Sequence, residues 1–153
     1  DPTRYVDHAS GYHDQHAGDF QSKHVYYKRF RPTRDRQDRV LALTEFGGYS
    51  LPCEQHMASA ERFGYKIFET ESAFNDAWRQ LYEDEVIPAI AKGLSAAIYT
   101  QVSDVQDEIN GLFSYDRRVM KLEPQTAHVV RKELDRAFEA YAESGASAQH
   151  NKK

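Results

Sequence analysis

"VLALTEFGGYSLP", residues 40–52, decides how this chain is read. Val40, Leu41, Ala42 and Leu43 are consecutive apolar residues. An unbroken apolar run bounded by turn residues marks a strand buried on both faces, as in a parallel sheet. Thr44 and Glu45 follow at once, then Phe46 and the pair Gly47-Gly48. Two readings of Glu45 stand side by side. It is a solvated carboxylate entering a Gly-Gly turn, since glycine reaches positive φ without steric cost. Or it is a functional carboxylate at the C-terminal tip of a buried strand, with two small residues clearing space beside it.

The segments on either side extend the pattern. "KHVYYKRF" (23–30) predicts a strand, and the polar residues 31–39 connect it to the central one. The basic run "KRFRPTRDRQDR" (28–39) is diluted by Asp35 and Asp38 and reads as a solvated loop. After an irregular stretch (47–70), "ESAFNDAWRQLYEDEVIPAIAKG" (71–93) is helical, with Phe74, Trp78, Leu81 and Tyr82 at spacings of three and four. Pro88 predicts a kink or helix end near 86–88 because it has no amide proton to give. Gly93 suits the position just past a helix end. "LSAAIYTQVSD" (94–104) reads as a second buried strand, and "SDVQDEINGLF" as the start of a short helix with Ser103 and Gln106 in capping-box spacing. "TAHVVRKELDRAFEAYAES" (126–144) is an amphipathic helix with a Val130, Leu134, Phe138, Tyr141 stripe. The small polar residues 144–153 form a frayed tail.

Buried strands separated by helices, each ending in polar residues, describe an α/β layout. In α/β barrels the working face is built at the strand C-termini. On such a face Glu45, Gln101, Asp104 and the polar cluster at 7–16 converge.

Composition narrows the classes. The 153 residues suffice for one domain with a core, and 29% are charged with a formal net charge of −4. That balance argues against nucleic acid, whose binding depends on clustered Lys and Arg. Apolar runs fall short of the roughly 18 residues needed to span a bilayer, so a membrane partner is not expected. The single cysteine, Cys53, excludes an internal disulfide and fits a reducing, cytoplasmic setting. The chain opens on Asp1-Pro2 without Met, and is expected to be part of a longer one.

Three blocks of this sequence resemble glycoside hydrolase family 2, the β-galactosidase and β-glucuronidase family. "DPTRYVDHASGYHDQHAGDF" is similar to the segment leading through that family's fifth barrel strand. "LALTEFGGYS" resembles its seventh, and "AAIYTQVSDVQDEINGLFSYDRRVMKL" its eighth in a bacterial branch. The blocks fall in order over residues 1–122. The resemblance implies the C-terminal half of a (β/α)₈ barrel: strand five near 5–9, six near 22–27, seven near 40–45, eight near 95–101, and a last helix over 123–143. It implies a retaining glycosidase with Glu45 as nucleophile and Tyr26 as hydrogen-bond donor to it. His8, His13, Asp14, His24, Gln101 and Asp104 would contact the sugar, and no cofactor or metal is implied. Tyr5 stands where the family often has Pro, and "YTQ" where many relatives have Trp. The family's Asn-Glu pair, which carries the general acid/base, does not occur here, so that residue is expected outside the chain. The remainder of the parent chain, or a second copy, would complete the barrel. A non-catalytic carbohydrate-binding or assembly module on the same half-barrel is the other class.

The remaining candidates have plainer readings. His8, His13, His16 and His24, with Asp7, Asp14 and Asp19, could be read as metal ligands, but no HExxH or CxxC spacing supports that. Asp104, Asp107 and Glu108 lack EF-hand spacing. Trp78 lies on a helical core stripe rather than a sugar platform. Cys53, with His56 three residues on, reads as an inert thiol.

Overall fold

A computed structural model describes residues 1–8 and 11–150, with side chains described through residue 145. In chain order the elements are β1 (Phe20–Val25), β2 (Val40–Gly47), β3 (Tyr49–Ser50), β4 (Lys66–Ile67), α1 (Glu71–Leu81), α2 (Ile87–Ile90), β5 (Leu94–Thr100) and α3 (Pro124–His150). A parallel three-stranded sheet has the order β1-β2-β5, and β3 and β4 form a small parallel pair of their own. The α/β layout therefore stands. No helix among the described residues is long and apolar enough to cross a membrane.

Strand β2 runs through the middle, and Leu41, Ala42 and Leu43 are all buried, as the unbroken apolar run requires. Phe46 meets the Tyr82 ring, just past α1, edge-on at 5.4 Å, and Phe74 and Trp78 of α1 belong to the same buried cluster. Each such side chain contributes about 1.5–3 kcal/mol on burial. Thr70 caps α1, its hydroxyl accepting from the Ala73 amide at 3.2 Å. Trp78 belongs to this core, 5% exposed.

The predicted kink at Pro88 takes the form of a π turn over Tyr82–Val86 joining α1 to α2. The Ile87 amide reaches back five residues to the Tyr82 carbonyl. Pro88 has no N–H for the Asp84 carbonyl, and Arg29 Nη2 supplies the missing donor at 2.8 Å. Gly93 closes the helical region at φ +94, a conformation suited to glycine.

Two expectations fail. The strand near 5–9 is absent over the described residues 5–8. Even so, the Asp19 amide bonds the Val6 carbonyl (2.8 Å) and the His24 amide the Gly11 carbonyl (3.2 Å). The two ties share one sequence offset, so this segment is fastened alongside β1 without a full ladder. The short helix expected from Ser103 is a chain of tight turns instead. Val105 and Glu108 exchange both backbone bonds, Gln106 sits at φ +53, and Ser103 bridges Phe113. Capping-box spacing had no apolar helical stripe behind it, so nothing held a helix there. Of the tail, residues 144–150 continue α3 across Gly145, and residues 151–153 lie outside the described residues. Along α3, Val130 is buried and Leu134 packs on the core, while Phe138 and Tyr141 stay 42% and 45% exposed.

Candidate functional site

Glu45 owes its position to a bulge. Lys23 pairs Leu43 but His24 pairs Glu45, so β2 carries one extra residue, Thr44, at that point. The same shift appears against β5, where Leu43 pairs Ala97 and Phe46 pairs Tyr99. Strict alternation would put residues 43 and 45 on one face. With the bulge, Leu43 and Phe46 share the buried face instead, at 0% and 2% exposure. Glu45 is thereby turned out of the core, with 42% of its side chain exposed. Bulges of this kind re-aim side chains at sites.

A tyrosine hydroxyl and an imidazole nitrogen meet Glu45 at one oxygen. Tyr26 Oη is 2.5 Å from Oε2 and also 3.0 Å from Thr100 Oγ1, so the hydroxyl ties the tips of β1, β2 and β5 together. His24 Nδ1 is 3.2 Å from the same Oε2. Among the described residues no hydrogen bond reaches Oε1. Burial, then the adjacent Glu45 carboxylate, hold the Tyr26 hydroxyl well above its ordinary range, so Tyr26 is a donor and not an anion. The Tyr65 ring stacks on Tyr26 at 3.9 Å with the planes 4° apart.

The glycines serve these rings, which corrects the expectation that they leave room for a ligand. A Cβ at Gly47 (φ +86) would lie 2.2 Å from the Tyr99 ring, and one at Gly48 (φ +64) would lie 2.3 Å from Tyr65 and 3.1 Å from Tyr26. The turn and the close approach both demand glycine. A cavity of about 320 Å³ lies against Tyr26, Gly47 and Tyr65, between β1, β2 and the π turn, but Glu45 does not line it.

Of the proposed sugar-contacting residues, only His24 reaches Glu45. His8 Nε2 accepts the Gln15 amide at 2.9 Å and folds its own loop. His13 is exposed, its ring edge-on to Tyr12 at 5.1 Å. Asp14 is taken by Arg39, whose guanidinium forks between Asp14 (2.8 and 2.9 Å) and Asp35 (3.0 Å). Arg39 holds both carboxyls well below the usual range. The basic run is thus solvent-facing over much of its length, but Phe30 is buried in the core and the Arg39 and Asp35 side chains are 4% and 7% exposed. Gln101 sits beyond β5, its Nε2 donating to Asn110 (2.6 Å) and Glu108 (3.2 Å).

Asp104 is not at the rim at all. Its side chain is sealed with that of Lys121, and it also accepts the Gly111 amide at 2.9 Å. Burial raises its carboxyl, against the pull of Lys121 and Gly111. Cys53 is half-buried, and burial pushes its thiol up, as an inert thiol requires. His56 bonds Asp116 at 2.8 Å, away from Cys53 chemistry.

Sequence reasoning missed Thr100 and Tyr65. Thr100 ends β5 one residue before Gln101, and the strand-tip rule that picked Gln101 applied equally to it. Tyr65 lies in an irregular stretch, where the glycine at 48 was the only hint of a ring close by. The chain matches no protein-family model and no curated protein.

Proposed function

We propose that this chain carries the nucleophile side of the active site of a retaining β-glycosidase, as the C-terminal part of a (β/α)₈ barrel. The observation that carries the reading is the Tyr26–Glu45 hydrogen bond at the C-terminal tips of adjacent parallel strands. It is the contact that the family 2 resemblance requires between these two residues. Parallel strands with a carboxylate turned out at the C-terminal rim suit barrel chemistry.

In this reading a Glu45 oxygen attacks the anomeric carbon while the bond to the leaving oxygen breaks. The electron pair of that bond goes to the leaving oxygen, which takes a proton from a general acid outside these 153 residues. Water, deprotonated by the same group, then releases the sugar. Oε1, which no hydrogen bond reaches among the described residues, is the oxygen free to attack; Oε2 keeps the Tyr26 hydroxyl, which stabilises its charge. The remainder of the parent chain, or a second copy, completes the barrel, and the substrate is a β-glycoside.

The test uses an unactivated disaccharide. Loss of general acid catalysis removes typically about 10²–10⁴-fold in rate. The chain alone therefore leaves an unactivated disaccharide intact, and robust turnover of one by these residues would contradict the reading.

A further inference from the structure

His24 occupies a position that neither a sugar contact nor a surface histidine explains. It is the register partner of Glu45, and its Nδ1 lies 3.2 Å from Oε2. Its side chain is 9% exposed. Gly11 lies over the ring: a Cβ there would fall 2.7 Å from His24 Cδ2, and the Gly11 carbonyl accepts the His24 amide. The Tyr12 ring stands edge-on at 6.5 Å. The other nitrogen, Nε2, is buried with no partner.

These contacts select one protonation pattern. An ionised carboxylate only accepts hydrogen bonds, so the nitrogen facing Oε2 must carry the proton. A second proton on Nε2 would bury an N–H without an acceptor, which disfavours it. We infer that His24 is held as the neutral Nδ1–H tautomer and is a positioning residue, which with Tyr26 fixes Oε2 of Glu45 and leaves Oε1 to react. It gives up no proton in the reaction. Its close approach to Glu45 is independent of the glycosidase reading; the catalytic consequence rests on that reading.

Long-range ¹H–¹⁵N correlation on the 153-residue chain at neutral pH reads the tautomer directly, with His24 assigned by His24→Gln. The expected spectrum has Nδ1 protonated and Nε2 bare. Glu45→Met removes the acceptor, and the Nδ1–H preference should disappear with it. Tyr26→Phe keeps Glu45, so the preference should persist, which also guards against misfolding of the first variant. A protonated Nε2 in the wild-type chain, or an unchanged signature in Glu45→Met, overturns the inference. For the catalytic consequence, the rate at which an activated fluoroglycoside labels Glu45 is compared in two variants. His24→Asn retains an N–H near the Nδ1 position and His24→Leu does not. Asn should exceed Leu by about tenfold, the equivalent of one charge-assisted hydrogen bond; equal rates would remove the positioning role. If the wild-type chain binds the fluoroglycoside but takes no label, the nucleophile reading fails, while the tautomer still decides whether His24 serves Glu45.

Discussion

Lys121 Nζ lies 2.7 Å from Asp104 Oδ1 and 2.8 Å from Oδ2, and neither side chain has any exposed surface. Lys121 also bonds the Ile109 carbonyl at 3.1 Å, so the pair fastens the turns between β5 and α3. Removing one member leaves the other charge buried alone. Lys121→Met should destabilise the chain by about 3–5 kcal/mol in urea unfolding, and the double variant Asp104→Asn, Lys121→Met by less than that. A single-variant loss below about 1 kcal/mol would show the pair to be reachable by water.

The Arg39 fork makes a prediction about acid. Asp14 and Asp35 are held below the ordinary carboxylate range by Arg39, so their contribution to stability is complete above the unfolded value near pH 4. It is lost as pH falls through the lower folded values. Arg39→Met should therefore lower Tm most at pH 6–7 (about neutral), and the gap to wild type should close as pH drops below about 3. A gap that stays constant across that range would detach the fork from stability.

At Gly47 the demand is steric. Gly47→Ala combines a positive φ with a Cβ 2.2 Å from the half-buried Tyr99 ring. The backbone alone costs about 1–2 kcal/mol, so a total above about 2 kcal/mol is expected in thermal or urea unfolding. A neutral substitution would mean that the turn does not hold this shape.

These features differ in how openly the chain displays them. The buried strand β2, the helix with Trp78 on its core face, and the end at Gly93 follow from apolar runs, helical spacing and residues with one conformational use. The bulge at Thr44 does not, because register depends on the partner strands, and a pattern within one strand cannot reveal an extra residue relative to its neighbour. Asp14 and Asp104 were grouped with the site for the same reason. A carboxylate in a polar loop looks alike whether it faces a ligand or a buried Arg39 or Lys121. Glu45 stands out by its place at the tip of a buried strand and Tyr26 through the family resemblance, whereas Thr100 joins them only through the folded geometry.

Tyr26→Phe removes the hydroxyl from both Glu45 and Thr100 while the ring still stacks on Tyr65. A hydrogen bond to a charged group is worth about 1.5–3 kcal/mol, so labelling of Glu45 by an activated fluoroglycoside should slow by about 10–100-fold. Thermal stability should change far less. An unaltered labelling rate would reduce the hydroxyl to a structural tie.

The central claim is that Glu45 forms the glycosyl bond. A 2-deoxy-2-fluoro glycoside with a dinitrophenolate or fluoride leaving group needs no proton from a general acid, so it isolates the first chemical step. Incubated with the chain, digested and analysed by mass spectrometry, it should leave one sugar on the peptide that contains residues 40–52, attached at Glu45, and none in Glu45→Gln. A sugar on another carboxylate, or no covalent adduct where the same sugar is shown to bind, would contradict the account.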